Sequence, residues 1–321
     1  VHPENHYYGH SRLLAEAAFG PGAPAIVDGQ IQHGWSLGHG FGARHRQVPW
    51  LRRLGWGERT AREATLDRIP QVTLIGAPFT YLAAAHGIDH DTPKPTGTVV
   101  YPYHSTEVLS VTGSHERLAD EIAEREHGRR VTIVLYFADR TPATERLYAA
   151  RGFDIVGHGH RSDPEFLHRQ LAVLAAHDRI VSNRVGTALW YGAHLGLEAE
   201  VYGPWFRDDC LGSFDRRVEE VEHALWPDLF AGPVAGPQAA VLADAELGVA
   251  HRRPDEELAE LIGGPTPDRR RRARRRAARI EHQARRVLVR GIGTVAPSTG
   301  IDYVPMPRDV LDTATAVVPV R

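Results

Sequence analysis

Residues 180–203 read Ile180-Val181-Ser182-Asn183-Arg184-Val185-Gly186-Thr187-Ala188-Leu189-Trp190-Tyr191-Gly192-Ala193-His194-Leu195-Gly196-Leu197-Glu198-Ala199-Glu200-Val201-Tyr202-Gly203. Ile180-Val181 is a short apolar strand, Thr187 to Leu195 a helix, and Ala199 to Tyr202 the next strand. A strand that returns through a helix runs parallel to its neighbour. The same alternation extends upstream. Thr98–Tyr103, Val131–Tyr136 and Phe153–Val156 read as strands. Glu116–Glu126, Ala143–Arg151 and Asp163–Ala176 read as helices, the last with Phe166, Leu167, Leu171 and Leu174 on its core side. Short apolar strands alternating with helices predict an α/β fold with a doubly wound parallel sheet.

Further upstream the pattern repeats with shorter elements. Ser11 to Phe19 is a helix stopped by Gly20-Pro21-Gly22, and Thr60 to Leu66 is another. Ala25–Ile31, Leu51–Trp56 and Val72–Ile75 read as strands. His86 to Thr96 has two prolines and no periodicity, and reads as a linker. The expected domains are residues 1–90, residues 91–230 and a C-terminal extension, 231–321. In that extension residues 231–250 are rich in Gly, Ala and Pro, and Asp255–Ile262 is a short helix. Asp268–Arg290 carries eleven arginines, with apolar residues every three or four positions, and reads as a basic amphipathic helix.

Composition bounds the rest. The 321 residues are 42% apolar and 24% charged, which fits a globular protein of about two domains and excludes wholesale disorder. Cys210 is the sole cysteine, so an intrachain disulfide and a thiolate zinc cage are excluded. No apolar run reaches the roughly 18 residues of a membrane span. His2, Glu4, Asn5 and His6 stand where a secretory leader needs a basic, then apolar, start, so a cytoplasmic location is expected. The net charge of -2 argues against a general nucleic-acid binder. Lys94 is the only lysine among 38 basic residues, a bias that codon usage in a GC-rich genome explains.

Residues just past the ends of parallel strands line the ligand crevice. Four such positions are polar: His104-Ser105-Thr106, Ala138-Asp139-Arg140, Gly157-His158-Gly159-His160 and Ser182-Asn183-Arg184-Val185-Gly186-Thr187. The last precedes a helix, whose free N–H groups and dipole suit a phosphate. An ordinary helix cap is the plainer reading of that segment alone. His104 and His158 are candidates to bond a phosphate or stabilise leaving-group charge, against a plain surface or capping role. Asp89-His90-Asp91 has the spacing of an acidic metal motif but reads better as a solvated linker. His158 and His160 face opposite ways in an extended segment, so metal ligation is not expected. Gly38-His39-Gly40-Phe41-Gly42 lacks the lysine of a phosphate loop.

The segment Ser182–Gly196, continuing to Val201-Tyr202-Gly203, resembles the donor-phosphate loop, helix and strand of GT-B glycosyltransferases of the bacterial capsule and surface-polysaccharide type. His104-Ser105 resembles the histidine-plus-hydroxyl motif that some of them place near the donor phosphate. Pro3-Glu4-Asn5-His6-Tyr7-Tyr8-Gly9-His10 and Gln32-His33-Gly34-Trp35 resemble their acceptor side. The resemblance covers about residues 1–205.

It implies two Rossmann-like domains facing a cleft, a nucleotide-sugar donor, a glycan or lipid-linked acceptor, and no cofactor or metal. Donor-binding residues would be His104, Ser105, His158, Ser182, Asn183, Gly186 and Thr187. The catalytic base would come from the first half: His33 first, Glu4 second. Glu198 and Glu200 are the nearest acids to hold a ribose. The Asp268–Arg290 helix would attach to an anionic membrane surface at its inner face, or be a solvated helix. Two rival functions share the crevice: a CDP-polyol phosphotransferase-like enzyme and a non-catalytic nucleotide-sugar-binding protein.

Overall fold

The computed structural model describes residues 2–41, 51–69, 72–107, 109–209, 211–212 and 215–263. The expected Asp268–Arg290 helix and Cys210 lie outside them. Each half of the chain carries its own parallel sheet. A 3₁₀ segment, Pro3–Gly9, leads into α1 (His10–Phe19), β1 (Gln30–Ile31), β2 (Arg53–Gly55), α2 (Glu58–Leu66), β3 (Val72–Leu74) and α3 (Pro78–Ala85). Strands β1, β2 and β3 pair in that order, all parallel.

The second half runs β4 (Thr98–Tyr101), β5 (Val111–Thr112), α4 (His115–Arg125), β6 (Val131–Val134), α5 (Pro142–Ala149), β7 (Asp154–Val156), α6 (Phe166–Ala175), β8 (Arg179–Ser182), α7 (Thr187–His194), β9 (Glu198–Val201) and β10 (Arg207–Asp208). Five of these strands form one parallel sheet in the order β7-β6-β4-β8-β9. By position in the chain that order is 3-2-1-4-5. The winding reverses between β4 and β8, and in such sheets ligands bind at that reversal, outside the strand ends. Strands β5 and β10 form a separate antiparallel ribbon.

Successive residues in the sheet point to opposite faces, and both faces are dry. Val100, Ile133 and Val181 pack with Leu118, Ala119 and Ile122 of α4 and Tyr148 of α5. Their neighbours Val99, Val134 and Ile180 pack on the other side with α6, α7 and Phe79 and Leu82 of α3. That two-sided burial is why these strands read as continuous apolar runs.

The chain ends in α8 (Asp215–Leu225), α9 (Pro227–Ala231), α10 (Gly236–Leu247) and α11 (Asp255–Ile262). Residues 231–262 belong to the body of the molecule. Helix α10 lies on α7, and α11 crosses back to α1. Leu258 and Ile262 bury beside Leu14, Ile31, Leu54 and Ile75, closing the first sheet's core. The crossing is tight at Gly248, which takes a left-handed φ of 66°. A Cβ there would sit 2.1 Å from the Trp56 carbonyl oxygen.

Several sequence expectations shift. The strand expected over Ala25–Ile31 shortens to β1, because the chain bends at Asp28-Gly29 and the Asp28 N–H bonds to Ile262 instead of a strand. Helix α3 begins at Pro78, whose fixed φ suits a first helical turn. The Gly-, Ala- and Pro-rich segment 231–250 contains α10, started in the same way by Gly236-Pro237.

Candidate functional site

The exits of the second sheet are roofed by a stack of planar groups. Tyr136, after β6, lies 3.9 Å from the His104 ring at 18°. Tyr103, which follows β4, is next, 6.4 Å from His104 at 27°. The Arg184 guanidinium, after β8, lies 4.1 Å from Tyr103 and 4.0 Å from Trp205. Each contact is an offset stack or a cation–π pair, and together they fix the plane of every member.

Behind the stack, polar side chains tie the exits of β4 and β8 together. The Ser182 hydroxyl donates to the Tyr101 carbonyl at 2.7 Å. Asn183 accepts from the Tyr103 N–H at 2.8 Å and donates to the Pro204 carbonyl at 2.8 Å. Both side chains are buried. They shape the loop, and their polar atoms are directed at backbone where a ligand contact was expected. Ser105 is similar: its N–H donates to Asp139 at 2.7 Å, and its hydroxyl accepts from the Val111 N–H at 3.1 Å.

Buried Arg184 donates to Asp215 at 3.0 Å and to the Phe206 carbonyl at 3.0 Å. Glu222, also buried, accepts from the Val185 N–H at 3.0 Å. Burial raises the Glu222 carboxyl to about 7, against the pull of Arg184. Two acids of α8 therefore set the backbone path of the loop. They were missed because that helix lay in a stretch without a read pattern.

What the loop presents to the cleft is Gly186, Thr187 and Ala188, all partly exposed. Gly186 caps α7 with no side-chain hydrogen bond, and a Cβ placed on it meets nothing within 4 Å. There is thus open space beside Gly186 at the positive end of the α7 dipole, next to the loop that covers Thr187.

The first half reaches this point directly. Gln32, just past β1, is buried and pinned. Its side-chain oxygen accepts from the Trp56 N–H and the Thr60 hydroxyl at 2.9 Å each, and its amide donates to the Gly34 carbonyl at 2.9 Å. The loop it holds carries His33, and the Trp35 N–H donates to the Thr187 hydroxyl oxygen at 2.9 Å. The Trp35 indole packs edge-on against both Trp190 and Trp226, which also touch each other, and donates to Glu246 at 2.8 Å, where Arg59 also binds through two hydrogen bonds. In the sequence Trp35 stood only as the last residue of the acceptor-like Gln32-His33-Gly34-Trp35, with no signal for its contact to Thr187.

The 3₁₀ segment holds Glu4 partly buried and sets Tyr7 edge-on to His33 at 6.2 Å. Tyr8 reaches the second half, its hydroxyl 3.1 Å from that of Tyr136. These contacts bring the loop of His33 against the exits of the second sheet, beside Thr187 and the Tyr136–His104 stack, and this junction is the candidate site.

His158 does not face it. The ring is buried against the Tyr101 hydroxyl at 2.9 Å and against Phe166. His160 turns the other way, to Glu107 at 3.2 Å. Glu198 and Glu200 are corrections too. Both pair with Arg179 at the start of β8, so they neutralise a buried arginine away from the strand exits. Asp89 closes an exposed turn through Thr92 and the Asp91 N–H. Among the described residues no three His, Cys, Asp or Glu side chains are grouped to hold a metal ion. None of the described helices is long and apolar enough to cross a membrane.

Burial lowers His158 to about 4, with Arg169 adding to the shift, and lowers His10 to about 3. In the unfolded chain both titrate near 6.5. Their stabilisation is full above pH 6.5 and is lost as pH falls toward 4 and 3. Glu222 acts oppositely: its contribution is full below its unfolded value and is lost as pH rises through about 7. Two imidazoles outweigh one carboxyl, so the urea midpoint should fall between pH 6.5 and 4. His158→Asn should flatten that slope; an unchanged slope would contradict the assignment.

Compared with known protein families, the chain matches no family model, and a search of the curated proteins finds no match.

Proposed function

We propose that the protein is a metal-independent glycosyltransferase of GT-B type, moving a sugar from a nucleotide-sugar donor to a glycan or lipid-linked acceptor in surface-polysaccharide assembly. The two sheets are the two facing domains, acceptor side first. The protein works in the cytoplasm, and its Arg-rich segment 268–290 attaches it to the anionic inner face of the membrane.

The observation that carries the reading is the 2.9 Å bond from the Trp35 N–H to Thr187. It joins the loop bearing His33 to an open helix N-terminus at the winding reversal. Sugar transfer needs those two functions side by side: stabilisation of a leaving phosphate and removal of a proton from an acceptor hydroxyl. The N–H groups of the first turn of α7 and the Thr187 hydroxyl hold the phosphate. That hydroxyl accepts from Trp35, so its own proton is free to be donated. His33 takes the acceptor proton, with Glu4 as the alternative base. Ser105, Ser182 and Asn183 build the loop around the donor.

Thr187→Ala should lower donor affinity. A hydrogen bond to a charged group contributes roughly 1.5–3 kcal/mol, about one to two orders of magnitude in affinity. Thr187→Ser, which keeps the hydroxyl and the bond to Trp35, should stay near wild type. Titration of UDP, GDP, CDP and CMP and their sugar conjugates by calorimetry checks both. Normal binding by Thr187→Ala counts against the phosphate loop. Polyol-linked CDP donors hydrolysed in preference to sugar-linked ones would replace the reading with a polyol-phosphate transferase.

A further inference from the structure

His104 was expected to meet the donor phosphate, but its hydrogen bonding argues for a different partner. Its Nδ1 lies 2.9 Å from the Ser105 carbonyl oxygen. A carbonyl only accepts, so Nδ1 carries the proton. In the neutral ring Nε2 is then a bare lone pair. The ring lies flat against Tyr136 at 3.9 Å, and a rotation exchanging the two nitrogens would have to break that stack and the Ser105 bond. Asp139 holds the Ser105 N–H at 2.7 Å, fixing the carbonyl-bearing turn to the β6 exit. The ring is only partly exposed, and no described residue takes Nε2.

Phosphate oxygens accept hydrogen bonds and cannot donate them unless protonated. A lone pair on Nε2 and a phosphate oxygen repel. We infer that His104 reads a hydroxyl of the donor's sugar moiety beside the diphosphate, acting as a hydrogen-bond acceptor that sets donor specificity. The inference rests on the donor site proposed above, and leaves His33 as the base.

The charged and titratable groups around the ring agree with a neutral state. Tyr103 lies on its own loop and Tyr136 and Asp139 on the β6 exit. Tyr8 lies beyond Tyr136, whose hydroxyl also feels Glu107 and Arg161. Burial holds the imidazole below its ordinary value, although Asp139 and the Ser105 carbonyl pull the other way.

The hydroxyl has two sources, the ribose or the transferred sugar. The test uses isothermal titration of the full chain with inorganic pyrophosphate, UDP, 2′-deoxy-UDP and UDP-glucose, and the GDP and ADP equivalents. It is run in two buffers of different ionisation enthalpy. His104→Phe keeps the stacked ring and removes Nε2; His104→Gln restores an acceptor oxygen. Pyrophosphate should bind wild type and His104→Phe equally, with no proton taken up. A neutral hydrogen bond is worth about 0.5–1.5 kcal/mol, so the variant should lose roughly 2- to 13-fold in affinity for the hydroxyl-bearing ligand. His104→Gln should recover part of it. A ribose partner makes the loss visible with UDP and absent with 2′-deoxy-UDP. A sugar partner confines it to UDP-glucose.

Weaker pyrophosphate binding by His104→Phe, with about one proton taken up by wild type, makes His104 a phosphate ligand. That overturns the inference and leaves the donor site standing. Equal binding of every ligand by both proteins also overturns it. Wild type that binds none of the panel overturns the donor site itself. Melting curves of both variants establish that they are folded.

Discussion

Replacing His33 with alanine should lower turnover with acceptor by about 10²–10⁴-fold, the range for loss of a general base, while donor affinity stays near normal. The split follows from where the loop sits. Gln32 fixes its start through three hydrogen bonds, and Trp35 fixes its end through Thr187 and Glu246. Removing the imidazole between those anchors leaves the loop docked on α7. A base needs its position before it needs its pKa, and here position is set by groups on both halves of the chain. Initial rates against acceptor concentration, with donor binding measured separately, test this. A folded His33→Ala protein with unchanged turnover would pass the role to Glu4. A fall in donor affinity that matches the fall in turnover would make His33 a binding residue.

Arg179→Ala should destabilise the fold by about 3–5 kcal/mol, the cost typical of breaking a buried ion pair from one side. Arg179 donates to Glu126 at 3.1 Å and pairs with Glu198 and Glu200 at the start of β8 and β9. Glu126 is 3% exposed and Glu200 4%, so deleting the arginine leaves both carboxylates buried, with only Arg129 at 3.7 Å from Glu126 and Arg125 at 2.9 Å from Glu200 as remaining cations. Tyr202 and Thr98 also donate to Glu126, at 3.0 and 2.6 Å, and soften the loss only in part. A lower urea midpoint with an unchanged m-value is the expected signature. A change under 1 kcal/mol would mean that the three glutamates relax into solvent. The proposed donor site lies past the other, carboxyl end of β8, so ligand affinity of the folded variant should hold.

Much of the second sheet was legible because its strands are buried on both faces. Val131-Thr132-Ile133-Val134 and Ile180-Val181 are apolar runs that no exposed segment would carry. Strand order was not legible. It depends on which strands pair, and only the pairing of β4 with β8 places the reversal at Tyr101 and Ser182. The polar residues at the strand exits were found by type but not by direction. Ser182 and Asn183 are ligand-like residues in sequence, and here bond to backbone because the loop must satisfy its own buried carbonyls and N–H groups. Gly186 and Thr187 differ only in facing the cleft. Helix α8 was missed although Val218, Val221 and Leu225 recur at helical spacing, since its other face is charged. Its Asp215 and Glu222 control the loop through Arg184 and Val185, contacts across more than thirty positions that no local pattern carries.

The central claim is that the first turn of α7 holds the donor's phosphate, and Gly186→Asp tests it most directly. Gly186 has an extended φ of -161° and open space at its Cβ, so the new side chain is accommodated. Aspartate is a favoured helix cap and should match or raise the intrinsic stability by a few tenths of a kcal/mol over glycine. Its carboxylate would take the same N–H groups and repel the phosphate. Thermal melting is measured with and without nucleoside diphosphate. At 100 times its dissociation constant a ligand should stabilise wild type by about 2.7 kcal/mol. The account predicts a Gly186→Asp protein at least as stable as wild type that gains nothing from the ligand. A variant stabilised by nucleotide as much as wild type would contradict it.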